Sequence, residues 1–388
     1  MKIPIIYNVR NLLARKLTTS MTVLGIALVV FVFACVLMLA DGFRKTMVST
    51  GDPDNIIFLR KGSNAELSSG ISRDQANILK TQSVVALTAE GKPLAAGELV
   101  VVNNLRKRAN DKPSNVVVRG VSPESLLLRS RVHLIAGRLW QPGTSEIIAG
   151  KGVAEKFKGC GLGESVNMGN RDWQVVGVFE AGDSSFESEL WGDVEQFMDA
   201  FRRPAFSSLT LRMKKPAEFE AFKKRIESDA RLTVEVKRER EYYEAQSRFL
   251  GRFIEILGLT ITIIFSFGAV TGAVITMYSA VANRSKEIGT LRALGFRRRN
   301  ILVSFLAECM VISLVGGILG VGIASFMQFV DVSTTNWDTF SEVVFGFSLS
   351  PGIVFASLIF SVIMGIVGGF APAVRASRMK VVNALRAS

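Results

Sequence analysis

The sequence predicts an α-helical membrane protein with four transmembrane helices and a large α+β extracytoplasmic domain between the first and second of them. Three observations carry that expectation. The 388 residues are 48% hydrophobic, and the apolar residues concentrate in four long runs instead of spreading as they would in a soluble core. The Lys and Arg residues flanking those runs fall on one side of them. Between the first and second runs lie roughly 200 residues of mixed polar sequence, enough for a domain.

The first run covers 19–40. It follows a basic start, but Asp41, Gly42, Phe43 and Arg44 come after it instead of a small-residue cleavage pattern. It therefore reads as an uncleaved span and not a removed signal peptide. The other runs cover 253–281, 301–330 and 352–371. About 20 apolar residues cross the hydrocarbon core, so each run suffices, and the second and third have length to spare for tilt or a stalk.

Orientation follows from the flanks. Lys2, Arg10, Arg15 and Lys16 precede the first run. Arg284, Lys286, Arg292, Arg297, Arg298 and Arg299 lie between the second and third, and Arg375, Arg378, Lys380 and Arg386 follow the fourth. Residues 331–350 hold Asp331, Asp338 and Glu342 but no Lys or Arg. The positive-inside rule places both termini in the cytoplasm and 41–252 outside it. The net charge of +13 then belongs to membrane flanks, with contact to membrane lipid and no nucleic-acid partner.

The expected division is 1–40 for an N-terminal amphipathic helix and first span, 41–238 for the extracytoplasmic domain, and 239–388 for a stalk helix and the remaining spans. In the domain, strands are expected at 99–103, 116–121, 146–149, 173–179, 208–213 and 232–237, and helices at 72–81, 152–158 and 216–228. Residues 182–189 read as a solvated turn or an external contact loop. Across 239–256, Tyr242, Ala245, Phe249, Phe253 and Ile256 recur at helical spacing and form one apolar stripe, with Arg240, Glu244 and Arg248 elsewhere. The stripe fits a helix packed on its own domain, and equally a stiff lever into the membrane.

No catalytic constellation is visible. The one histidine, His133, stands before Leu134, Ile135, Ala136 and Gly137 and reads as structural. Cys35, Cys160 and Cys309 have neither metal-ligand spacing nor a pairing pattern, so neither a metal site nor a disulfide is expected. The 388 residues contain no G-x-x-x-x-G-K-[ST] loop, so any ATP-driven work is expected to come from another protein.

Between the second and third runs, Ile288, Leu291 and Leu294 fall at i, i+3 and i+6 on one face of a short helix. Arg284, Lys286 and Arg292 give it a basic remainder, and Gly295 is placed to end it. Such a helix could dock a partner and transmit its motion, or lie on anionic lipid. Glu308, in the third run, is costly there and so a functional candidate, unless it pairs with the nearby Arg297, Arg298 and Arg299. Gly268/Gly272, Gly316/Gly320 and Gly365/Gly369 each permit close helix approach, within the chain or at a dimer contact.

The segment Glu287-Ile-Gly-Thr-Leu-Arg-Ala-Leu-Gly295, followed by basic residues, Ile301 and Phe305-Leu-Ala-Glu308, resembles the signature of the FtsX-like permease family. The stretch 8–17 leading to Thr22-Val-Leu-Gly-Ile26, and 372–378 ending in Ala384-Leu-Arg386, are similar to that family's N-terminal and C-terminal segments. Val117-Val-Arg-Gly-Val121, Gly137-Arg138, Glu146-Ile-Ile-Ala-Gly150 and Val175-Val-Gly-Val-Phe179 resemble MacB-type periplasmic core domains. The resemblance implies a non-catalytic ABC transporter permease working by mechanotransmission, in which movement of the external domain drives export or extraction of a periplasmic or membrane-derived substrate. It implies that Arg284, Lys286, Glu287, Ile288, Gly289, Leu291, Arg292, Leu294 and Gly295 form a coupling helix on a separate ABC ATPase, present in two copies and holding ATP and Mg. It further implies a second permease copy, as a homodimer or heterodimer, and leaves room for a periplasmic adaptor and an outer-membrane channel. MacB carries its ATPase on the same chain, so these residues look more like LolC/LolE- or DevC-type permeases. Two other classes compete: a regulator of a cell-wall hydrolase, as FtsX itself is, and a stand-alone secondary transporter, against which the lack of inverted repeats and midplane ionisable groups argues.

The topology is open to direct labelling. A cysteine replacing Ser69 is expected to react with a membrane-impermeant maleimide in intact cells, and one replacing Ser388 only after permeabilisation. Labelling of the Ser388 position from outside would overturn the orientation.

Overall fold

The computed structural model of the chain describes residues 16–337 and 339–379. Most of the 8–17 stretch, Lys2, Arg10, Arg15, Asp338, Lys380 and the 384–386 segment lie outside these residues. The chain forms two compact units: Met1–Asp41, Arg252–Val330 and Phe347–Ser388 make one, and Gly42–Gly251 with Asp331–Gly346 the other.

Helix α1, Lys16–Thr50, exceeds the apolar run it contains. At 35 residues it is about 52 Å long, against about 30 Å of hydrocarbon.

The second unit is an α+β domain built on one mixed sheet. In chain order its strands are β1 Asn55–Arg60, β2 Ala95–Arg106, β3 Pro113–Val121, β4 His133–Gly137, β5 Glu146–Gly150, β6 Ser165–Met168, β7 Arg171–Glu180, β8 Glu189–Asp193, β9 Ser208–Arg212 and β10 Val234–Arg238. They lie in the order β10-β1-β9-β2-β3-β8-β5-β7-β4, with β6 on β7. Helices α2 Arg73–Lys80, α3 Pro123–Leu128, α4 Lys151–Lys156, α5 Val194–Ala200 and α6 Phe219–Glu227 complete it. Local sequence sets these starts. Ser72 and Gln75 form a reciprocal capping box ahead of α2, and Pro123 opens α3, where a missing N–H costs nothing.

Both faces of the sheet are covered. Ile56 and Phe58 of β1 enter the larger core with Leu99, Val118 and Leu209, while Ile57 and Leu59 enter a second core with Phe179, Trp191 and Tyr243. A strand buried on both faces shows no polar alternation, which is why β1 escaped the sequence reading. Residues 182–189 differ from either expectation. Ser185, Phe186, Ser188 and Glu189 are buried, and Phe186 stacks edge-on to Trp191 and Tyr243.

Residues 331–346, between the third and fourth apolar runs, form a hairpin belonging to this domain. Strands β11, Asp331–Thr335, and β12, Glu342–Gly346, pair antiparallel. Glu342 Oε2 accepts from Lys107 Nζ and Ser114 Oγ, both at 2.6 Å. Val344 N–H donates to Ser188 Oγ at 2.9 Å, and Phe345 meets Phe43 edge-on. Four contacts remote in sequence thus hold this segment.

The remaining helices are α7 Glu239–Asn283, which enters the membrane-type unit at Arg252, and α8 Ser285–Ala293, α9 Arg298–Ser325 and α10 Pro351–Arg378 within it. With α1, helices α7, α9 and α10 are the four among the described residues long and apolar enough to cross a membrane. Small residues set their approach. A Cβ at Gly320 would strike the Ala27 carbonyl of α1, and one at Gly365 would strike Ser313 and the Cys309 carbonyl of α9. Gly316/Gly320 and Gly365/Gly369 therefore serve packing within the chain, whereas Gly268 and Gly272 face open space.

Candidate functional site

Helix α8 is fixed at both ends. At its C-terminus Gly295 adopts φ +91°, a conformation that costs glycine little. Gly295 N–H donates to Arg292 O and Phe296 N–H to Leu291 O, both at 3.1 Å, closing a Schellman motif. At its N-terminus the Arg284 side chain turns inward. Its Nε donates to Glu287 Oε2 at 3.0 Å and its Nη1 to Glu308 Oε2 of α9 at 3.1 Å. The guanidinium also lies 5.2 Å from the centre of the Phe305 ring. Arg284 is only 7% exposed and Glu308 5%, so this is a buried pair in which each charge depends on the other.

The coupling residues divide by burial. Ile288 sits in a cluster with Met277 and Val281 of α7, Ile301, Phe305 and Cys309 of α9, and Ala373 and Ala376 of α10. Gly289 is buried beside it, and Leu291 and Arg292 are half-buried. Lys286, Glu287, Leu294 and Gly295 are exposed, Leu294 at 69%. The expected stripe of Ile288, Leu291 and Leu294 thus runs from core to surface instead of lying on one face. Arg284, expected in the basic remainder, is the buried anchor. Glu308 pairs with Arg284, while Arg297, Arg298 and Arg299 are exposed.

Helix α7 begins inside the α+β domain. Tyr242 is buried there, and its hydroxyl accepts from Glu66 N–H at 3.0 Å. Tyr243, Gln246, Ser247 and Leu250 are buried with it, Gln246 accepting from Asn336 of the hairpin at 3.2 Å. Of the predicted stripe, Ala245, Phe249, Phe253 and Ile256 are exposed. The helical period was legible, but the face the domain covers is rotated from the apolar one because tyrosine and glutamine serve as well there once hydrogen-bonded.

Among the described residues no group of His, Cys, Asp or Glu is arranged to hold a metal ion, and all three cysteines are free. His133 is exposed and hydrogen-bonds Glu180 at 3.0 Å.

Residues 19–229 match the MacB-like periplasmic core domain family, and 259–381 match the FtsX-like permease C-terminal family. The chain belongs to the MacB/FtsX-type ABC permease family. The macrolide export ATP-binding/permease protein MacB of Bdellovibrio bacteriovorus is 26% identical over 411 residues, covering 97% of this chain and 60% of that protein. The chain therefore spans about 60% of the length of the MacB relatives it matches. The Bacillus subtilis protein described as an uncharacterized ABC transporter permease, YknZ, is 23% identical over 408 residues, covering 97% of this chain and 96% of its own length. The solved extracellular domain of YknZ is similar at 16% identity and a TM-score of 0.36, covering 47% of this chain and 99% of that domain.

Within this permease the Arg284–Glu308 pair is a specific thermodynamic claim. Arg284→Ala and Glu308→Ala are each expected to cost about 3–5 kcal/mol, because each removes one member of a buried ion pair. The double variant is expected to cost less than the two together by about 1–3 kcal/mol. Denaturant unfolding of the four proteins of this cycle in detergent measures it, and strict additivity would show that the two side chains do not interact.

Proposed function

We propose that this chain is the permease subunit of an ABC transporter in which a separate ATPase, bound in two copies with its ATP and Mg, drives movement of the α+β domain. A second permease copy completes the assembly, and the output is export or extraction of a periplasmic or membrane-derived substrate. The termini are cytoplasmic, the domain periplasmic, and the membrane the inner one.

The observation that carries this reading is the two-sided character of α8. One side, through Ile288, Gly289 and the Arg284–Glu308 pair, is locked into three spanning helices. The other leaves Lys286, Thr290 and Leu294 exposed, with none of the described residues covering them. A helix that merely rested on lipid would need no buried ion pair to its neighbours. A helix that receives a push does, because displacement must reach the spans without being absorbed by a loose joint. Helix α7 supports the same reading, since its 45 residues run without a break or a proline.

Leu294→Asp and Lys286→Glu change only exposed side chains, so both are expected to leave folding and insertion intact. Each is expected to weaken ATPase binding at least about tenfold, or about 1.4 kcal/mol, and to abolish stimulated hydrolysis. Co-purification and turnover with the ATPase measure this. Full binding and turnover in both variants would remove α8 as the coupling element.

A further inference from the structure

The base of α7 sits on a buried ionic cluster that the transport reading does not use. Six charged side chains meet there, each at least nine-tenths buried: Glu66, Glu98 of β2, Arg119 of β3, Arg129 after α3, Glu189 of β8, and Glu239, the first residue of α7. Arg119 grips Glu189 through Nε at 2.7 Å and Nη2 at 3.0 Å, Glu66 through Nη1 at 2.8 Å and Nη2 at 3.1 Å, and Glu98 through Nη1 at 3.0 Å. Arg129 grips Glu98 with both terminal nitrogens. Glu239 receives a single contact from a guanidinium, Arg129 Nη2 at 3.3 Å.

Four carboxylates face two guanidiniums, so full ionisation would bury two uncompensated negative charges, which proteins avoid by retaining protons. The other charged groups nearby do not correct the imbalance. Asp52, after α1, is paired with Arg212 of β9 at 3.0 Å, and Tyr243 of α7 donates its hydroxyl to Glu66 at 3.3 Å. The N-terminal dipole of α7 favours an ionised Glu239, but at about half an elementary charge it does not replace a full counter-charge.

Glu239 also ties two chain segments together. Its Oε2 accepts from Asp52 N–H and from Asn55 Nδ2, each at 3.0 Å, immediately after α1 ends at Thr50. Gly51 packs so closely there that a Cβ would lie 2.5 Å from the Arg240 Cα. The link from α1 into β1 and the first turn of α7 are thus joined through one carboxyl group.

We infer that Glu239 is a positioning residue that joins the roots of α1 and α7 in its protonated, neutral form, so that loss of this proton loosens the joint. Oε2 stays an acceptor for Asp52 and Asn55 whichever state Oε1 is in. What ionisation adds is an unneutralised charge beside Glu98. Burial first of all, and Glu98 after it, push the Glu239 carboxyl above its ordinary value, against the pull of Arg129, the Asp52 N–H and Asn55. Burial raises Glu189 in the same way, whereas Arg119, its hydrogen bonds and Ser208 hold Glu66 below its ordinary value despite burial. A carboxyl raised in the folded state contributes stability that is complete below its unfolded value and is lost as pH rises through its folded value. Glu239 therefore weakens the joint on the alkaline side. Glu66 works in the opposite direction and only in acid.

Glutamine keeps the shape and the acceptor of the neutral acid and cannot ionise. In the full-length purified protein, amide exchange at residues 50–55 and thermal unfolding are measured from about pH 5 to 8, comparing wild type with Glu239→Gln and Glu239→Ala at each pH. Wild type is expected to lose protection relative to Glu239→Gln as pH rises, and Glu239→Ala to be unprotected throughout. The unfolding temperature of Glu239→Gln is expected to fall less with pH than that of wild type, with a residual slope from Glu189. Identical pH dependence in wild type and Glu239→Gln, or a Glu239→Gln variant as unprotected as Glu239→Ala at every pH, would overturn the inference. These measurements need neither ATPase nor substrate, so their outcome stands apart from the transport reading.

Discussion

The first and last turns of a helix have backbone groups with no partner inside it, so a helix that must carry load has to be held at its ends. Helix α7 is held at both, at its start by a buried carboxyl group and at its end by a buried ion pair. It opens on Glu239, within the Arg119–Arg129 cluster, and closes next to Arg284, whose guanidinium is clasped by Glu287 and Glu308. Buried ion pairs are weak contributors to net stability because desolvation offsets most of the attraction. What they supply is geometric definition, since a displaced partner leaves a bare charge in a dry site. Two buried anchors, that pair and the Glu239 carboxyl, on one unbroken helix suit a part that must move without bending.

The packing between these points is economical. In the helical unit the close approaches are made by Gly316, Gly320, Gly365 and Gly369, where van der Waals contact and not hydrophobic transfer supplies the attraction between spans. In the α+β domain the sheet is covered on both faces, and the second core brings Trp191, Phe179 and Phe186 around Tyr242 and Tyr243. The first turn of α7 is therefore built into a core as well as tied to charges.

Most of this architecture could be read in the sequence where one physical rule dominates. Four apolar runs gave four long helices, and strands such as β3 and β7 followed from runs of β-branched residues. What escaped depended on partners remote in the chain. Strand β1 carries apolar residues on both faces, α3 and α5 are too short for periodicity, and β11 and β12 are fixed by Lys107, Ser114 and Ser188. The ionic cluster had one visible trace, an arginine at position 119 inside the apolar half of β3, but the carboxylates that grip it lie 21 to 70 residues away on either side of it. Arg284 was read as surface charge because nothing local distinguishes it from Lys286; only the fold brings Glu308 within reach.

The central claim is that a stiff α7 carries motion from the nucleotide state of the ATPase to the α+β domain. It is tested most directly by spin labels at Lys92, an exposed position of that domain, in the assembled two-copy complex. The distance distribution is compared between nucleotide-free and ATP–vanadate-trapped states, in the native chain and in one carrying Gly-Gly-Ser-Gly after Gly251, where glycine removes stiffness but the buried residues of the domain stay untouched. A nucleotide-dependent shift is expected in the native complex and none in the insertion variant, with ATP hydrolysis retained in both. No shift in the native complex, or an equal shift in both, would contradict the claim.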